Sequence, residues 1–498
     1  MSEPRPKRRR RILRWVLLGL LCAVVLFVVI DHDWSGPGKP PPPATITYDG
    51  HTWKVTPVNF LRSKGLDVRD IPPNENAALD YLIAAEMLPP FPRDIDREAR
   101  ARLRYEEDYV LRYGWSDECA LLWSRLESAE PALARARIGV GKTNGQTPFL
   151  MVDSDVLVWM VLPGLGGRRT VGQWLVRSGK MAEASGRFDQ ARDSYLAVVV
   201  MGNHAAQDGL LLSGLVGVAL NVSGLEALER WTLLGPPPAL LREALARVQA
   251  LAPGRPDFDR ALRTDRVIFF DVLTVIGTLS EEDSTFSERV GDFLNSSRTV
   301  RRIIKAKAAI LFGKLDDWYA LGAPAQYAAL PMIRSEIEAG FRTWSSAPAA
   351  LWCSARPDNA CRYAVNDLRW CAAEVRLGLA LYKAEHGRYP EALNDIVPYL
   401  GTVPLDPFSA APLRFRLEGD DYVFYSVGPD LTDDGGKDLR DDMTHLYSIG
   451  TNGRGWRGQD DLVFTSKLAP APPLDEYLRN DGTRPAGGWS TEQPGVTP

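Results

Sequence analysis

The stretch QWLVRSGKMAEASGRFDQARDSYLAVVVMGNH, residues 173–204, decides the fold class. Apolar residues recur at helical spacing on both sides of Gly186, a natural helix stop. Ala182, Ala184, Phe188, Ala191 and Tyr195 fall where two antiparallel helices must approach closely. The spacing is similar to a tetratricopeptide-type helix pair, but a solenoid needs about three such units and a single one stands out. The expectation is therefore a mainly α bundle.

Working outward, the same texture spreads in both directions. Asn74 stands as an N-cap before Leu79, Leu82, Ile83 and Met87, and Pro89-Pro90 stops that helix. Long charged helices are predicted over 94–113 and 119–137. Residues 210–225 form an uncharged run between Asp208 and Glu226, to be read either as a second membrane span or as a buried core helix. Asn221, Ser213, Ser223 and the glycines among them lower its hydrophobicity and favour the core helix. Upstream, 45–55 alternates and breaks at Asp49-Gly50, a two-residue hairpin turn.

The N-terminus has a different character. Seven basic residues, Arg5, Lys7, Arg8, Arg9, Arg10, Arg11 and Arg14, face one acid, Glu3, in the first fourteen positions, so the acidic excess of the −4 chain lies beyond them. Sixteen uncharged residues follow from Trp15 to Ile30, and Ile12 and Leu13 extend the run if Arg14 snorkels. This predicts a basic cytoplasmic tail (1–11), a single transmembrane helix (12–30) and a bacterial inner-membrane protein whose bulk is extracytoplasmic. A cleaved signal peptide, or a lipoprotein processed at Cys22, is the competing reading. No small-x-small site follows Ile30, however, and Leu21 stands where lipid attachment needs a small residue. A Pro-rich stalk (31–44) then leads to a mainly α-helical ectodomain (45–354), an α+β module (355–466) and a disordered tail (467–498).

Cysteine usage fits export. Cys353 and Cys361 flank Ser-Ala-Arg-Pro-Asp-Asn-Ala, a short loop that a disulfide would close; the alternative is two buried thiols. The internal boundary is placed near 355–358, where helical texture gives way to this loop.

Residues 366–386 make the clearest amphipathic helix, with Leu368, Cys371, Val375, Leu379 and Tyr382 on one stripe and Gly387 as the stop. A short helix is predicted over 391–400, then a hairpin of 413–417 with 422–427. An acidic segment follows: Asp430, Asp433, Asp434, Asp438, Asp441, Asp442, and later Asp460 and Asp461. The order of a long helix, His386-Gly-Arg-Tyr-Pro390, Leu405-Asp-Pro-Phe408, a hairpin ending Tyr-Ser-Val-Gly-Pro-Asp430 and an acidic loop resembles the soluble domain of the major pseudopilin of type II secretion systems. The resemblance covers about one fifth of the chain. It implies an acidic loop that binds calcium and so orders the C-terminal segment. The family's processing motif, with a glutamate early in the apolar helix, is absent, which argues against polymerisation as a pseudopilin. More loosely, the whole chain resembles large exported proteins of planctomycete-like bacteria that join a helical region to such an ending.

Calcium also stands on the residues alone. Hard cations take six to eight oxygens, and nine carboxylates between Glu418 and Asp442 repel one another against only Lys437 and Arg440. Asp430, Thr432, Asp434, Gly435, Asp438 and Asp441 fall at EF-hand-like positions, but Lys437, a terminal aspartate and a preceding strand depart from that motif. The proposed metal ligands are Asp430, Asp433, Asp434, Asp438, Asp441, Asp460 and Asp461; the alternatives are a solvated turn and a catalytic loop.

Enzyme motifs are sparse. Gly139-Val-Gly-Lys-Thr143 lacks the leading glycine and the strand of a phosphate loop, and the five histidines show no metal-binding spacing. His386 reads as a helix-end cation. Trp115, Trp123, Trp159, Trp174 and Trp231 lie in helical patterns and are assigned to packing rather than to a sugar cleft. An acidic ectodomain disfavours nucleic acid. The expected function is a membrane-anchored binding or scaffold protein with an envelope protein partner, beside a secretion apparatus. The alternative is an envelope hydrolase using pairs such as Asp433-Asp434 and Asp460-Asp461.

Overall fold

The computed structural model describes residues 41–150, 157–275, 297–343, 345–436, 461–468 and 470–479. The basic tail and the apolar segment assigned to the membrane lie outside the described residues. What is described is mainly helical, with small antiparallel sheets.

The described residues open with the hairpin of β1 (Ala44–Tyr48) and β2 (His51–Val55). Asp49 and Gly50 both take positive φ, 49° and 79°, which matches the right-handed twist of a two-residue turn. Among the described residues there follow α1 (Val58–Ser63), α2 (Ala77–Met87), α3 (Arg97–Tyr113), α4 (Ala120–Val140), α5 (Leu157–Ala184), α6 (Phe188–Ala206), α7 (Leu211–Leu233), α8 (Pro238–Leu251) and α9 (Phe258–Val275). Then come α10 (Arg298–Tyr319), α11 (Ala325–Ala328), α12 (Leu330–Gly340), α13 (Ala347–Cys353), α14 (Arg356–His386) and α15 (Val397–Leu400). The described chain closes on β3 (Arg414–Glu418), β4 (Asp421–Ser426), β5 (Leu462–Thr465) and α16 (Leu474–Arg479).

The hairpin that decided the fold class is α5 and α6. Gly186 adopts φ 71°, and the Arg187 and Gly186 N–H groups donate to the Ala182 and Glu183 carbonyls in a Schellman stop. Ala182, Ala191 and Tyr195 are buried between the helices, as the spacing requires. Helix α7 packs against α6 and α14. It is the one described helix long and apolar enough to cross a membrane, yet it carries the buried polar residues Ser213, Asn221 and Glu229.

Several boundaries differ from expectation. The N-cap of α2 is Asn76, whose side chain accepts from the Ala78 N–H at 3.0 Å, because 73–75 wind into a 3₁₀ turn. Residues 391–400 form a 3₁₀ turn followed by α15 rather than one helix. Helix α14 starts ten residues before the expected 366, at Arg356: Pro357 occupies the first turn, where a missing N–H breaks no intrahelical bond. The loop expected at 355–358 is thus helix, and the apolar core runs continuously from α2 and α7 through α14 to Phe424 and Phe464.

That helix start also removes the closed loop assumed for the disulfide. Cys353 ends α13, Cys361 lies early in α14, and both are free, fully buried thiols that burial pushes up to about 12. The tail is ordered further than expected. Leu474 is buried, and Tyr477 lays its ring edge-on against Tyr109 and Tyr113 of α3, docking α16 there.

Of the tryptophans, Trp174 and Trp231 are core, Trp123 is 43% exposed against Trp115, and the Trp159 side chain lies outside the described residues.

Candidate metal centre

β4 is the middle strand of the C-terminal sheet, paired antiparallel with β3 and β5. Tyr422, Phe424 and Ser426 face the core, where Phe424 stacks on Phe464 at 4.8 Å and the Arg376 guanidinium of α14 lies over both rings. Val423 and Tyr425, on the opposite face, are buried too, in a small cluster with Val463. Simple alternation would leave that face wet; the acidic segment folds over it. At Gly436 the chain comes so close that an added Cβ would meet the Tyr425 ring at 2.5 Å, and φ is 61°.

The descending segment turns on its own carboxylates. Asp430 Oδ1 accepts the Thr432 N–H at 3.0 Å, and Asp433 Oδ1 accepts the Gly435 N–H at 3.0 Å. Asp433 also accepts the Tyr425 hydroxyl at 2.9 Å and Arg414 Nε at 3.2 Å. The Gly435 amide, the phenol and the guanidinium hold its carboxyl below the usual range. Asp434 is exposed.

Asp461, just before β5, differs. It is 8% exposed, and its Oδ2 accepts the Gly436 N–H at 2.7 Å. Oδ1 is buried without a hydrogen-bond partner. Burial raises this carboxyl, against the pull of the Gly436 and Asp434 amides and aided by the Asp433 and Asp434 charges. A buried carboxylate oxygen with nothing to accept from suits a bound cation.

Two features weaken the repulsion inferred from the sequence. Arg414 pairs with Asp433, and Arg416 donates to the Gly435 carbonyl at 2.9 Å while pairing with Glu418. These counterions come from β3, outside the window that was counted. Among the described residues no group of three or more His, Cys, Asp or Glu converges as a metal site. The charges of Asp433 and Asp434 reach Asp461 without the three converging on one point, Asp430 is set into its own turn, and Asp438, Asp441 and Asp460 lie outside the described residues.

No family model, curated protein or solved structure matches this chain.

Elsewhere the motifs resolve plainly. Lys142 of the glycine run follows Gly141, the C-cap of α4, and places Nζ 2.6 Å from the buried Asp80 carboxylate, so it is committed to the core. His386 ends α14, stacked on Tyr382 at 4.0 Å. Asp406, which the sequence offered only as part of Leu405-Asp-Pro-Phe408, is 2% exposed and accepts from Ser426 at 2.8 Å, the Phe408 N–H and Ser409. It fastens that loop to the end of β4.

Proposed function

We propose that the chain is a membrane-anchored, extracytoplasmic binding or scaffold protein whose C-terminal module is pseudopilin-like and ordered by calcium. Its work is to hold an envelope protein partner, beside a secretion apparatus. The carrying observation is the unpartnered buried Oδ1 of Asp461 beside Asp433 and Asp434. Calcium there would supply the missing counter-charge and pin the acidic loop over β4 and β5.

The test is thermal unfolding of the full chain in maltoside micelles, with calcium and then with excess chelator. At 100 times its Kd a ligand stabilises by about 2.7 kcal/mol, a rise of several degrees. That rise, lost in Asp461→Asn, is the expected result. No calcium-dependent shift in the parent protein sinks the metal reading.

One observation favours a second reading. Asp433 is held low while Asp461 is pushed up, the separation that an acid and base pair in a hydrolase needs. Beside them Arg416, Asp421, Gly435 and Lys467 line a cleft of about 240 Å³. Glycoside hydrolysis that disappears in Asp461→Asn, at unchanged stability and without calcium, would replace the scaffold reading.

A further inference from the structure

A second cavity, of about 420 Å³, opens where α9, α10, α11 and α14 meet the Pro407 turn. Its size falls in the range of small-molecule sites. Aromatic side chains wall it. Phe258 lies 5.2 Å from Tyr319 and 5.1 Å from Tyr363, ring centroid to centroid, and Tyr327 closes the side toward Phe408.

The charged groups at the mouth are unevenly committed. Asp367 takes the Arg255 guanidinium at 2.5 Å, and Arg255 also donates to the Ala252 carbonyl. Asp259 is paired with Arg263. The Asp257 carboxylate accepts only the Asp259 N–H, at 3.0 Å, and makes no ion pair among the described residues. Both Arg255 and Arg263 are thus spoken for, whereas the Asp257 carboxylate pairs with no cation among the described residues. The resulting field is felt on the walls: after burial, the Asp257, Asp367 and Asp259 charges each raise the Tyr319 phenol.

Inside, Gln326 is 5% exposed and its Nε2 is a buried donor with no partner. Such a group calls for an acceptor on a ligand.

We infer that this cavity binds a small organic ammonium compound carrying a hydrogen-bond acceptor, with the cation over the Tyr319 and Phe258 rings beside Asp257 and the acceptor on Gln326. Aromatic faces and an unpaired carboxylate both stabilise a desolvated cation, and Arg255, already bound to Asp367, offers an anion little. This inference stands apart from the calcium reading, since none of its residues belongs to the acidic loop.

The experiment is isothermal titration of the full chain in maltoside micelles with choline, ethanolamine and 3,3-dimethylbutan-1-ol, the uncharged isostere of choline. Saturable binding of either amine, with the isostere about tenfold weaker or worse, is expected. Asp257→Asn, at the exposed rim, should weaken the amine about tenfold while leaving Tm in place. Tyr319→Leu should weaken it further, and Gln326→Leu should weaken choline more than tetramethylammonium. Should Tyr319→Leu fail to fold, Asp257→Asn decides alone. Absence of binding by both amines, equal binding of the isostere, or full affinity in Asp257→Asn overturns the assignment.

Discussion

Asp80 is fully buried in α2, accepts the Tyr48 hydroxyl at 3.1 Å, and lies in ion-pair range of two cations, Arg135 at 2.9 Å and Lys142 at 2.6 Å. Removing its charge while leaving both cations in place costs about 3–5 kcal/mol in comparable buried pairs. Asp80→Asn is expected to lower the urea midpoint accordingly, and an unchanged midpoint would mean that Asp49, which also pairs with Arg135, and solvent compensate those cations. Nearby, His204 Nδ1 shares a 2.8 Å hydrogen bond with Tyr81, and burial, then the Arg168 charge, lower the imidazole to about 4. The unfolded chain binds this proton near pH 6.5, so stability is intact above that pH and declines as pH falls toward 4. The loss is about 3 kcal/mol across that window. Urea titrations between pH 7 and 4 should show a shallower decline in His204→Gln than in the parent. Neither role was visible in the sequence, because burial of a lone Asp or His depends on which helices stack over it.

At the scale of elements, α6 and α7 cross with their backbones nearly touching. A Cβ added at Gly202 would sit 2.0 Å from Asn221 Oδ1 and 2.7 Å from the Gly217 carbonyl, and one at Gly217 would meet the Gly202 carbonyl at 2.7 Å. The glycines of the 210–225 run therefore serve backbone approach within the protein. Gly202→Ala should cost about 1–3 kcal/mol through overpacking, and also strain the Asn221 to Asn203 hydrogen bond of 3.0 Å. A Tm equal to the parent's would show that the crossing accommodates a methyl group. Elements with local stop signals were legible beforehand: the α5–α6 turn at Gly186, the end of α14 at Gly387, the β1–β2 turn and the β3–β4 hairpin. The start of α14 was not. Proline marks a loop and a helical first turn equally well, and the choice rests on the burial of Asn359, Cys361 and Tyr363 in the core.

Over the whole molecule, the C-terminal sheet is bound to the helices by ions as well as rings. Glu229 of α7 lies 3.4 Å from Arg369 and 3.3 Å from Arg376 of α14, and Arg376 also donates to the Thr465 carbonyl of β5 at 2.9 Å. All three residues are buried, so the network exists only when helix, helix and strand are assembled. Arg376→Met is expected to open β5 selectively. Hydrogen exchange should quicken at 462–465 while the α5–α6 pair keeps its protection. Uniform acceleration, or none, would place the tie elsewhere.

Local pattern determined the helical class, the hairpin turns, the amphipathic face of α14 and the acidic character of the loop after β4. Each follows from residues within a turn or two of one another, where periodicity and backbone preference act directly. Only the tertiary structure decided that Cys353 and Cys361 are separate buried thiols, that Arg414 and Arg416 temper the acidic loop, that Asp461 keeps an unpartnered oxygen, and that four aromatic side chains wall a cavity beside Asp257. These depend on contacts between residues far apart in the chain, whose energy comes from shared burial rather than from sequence spacing.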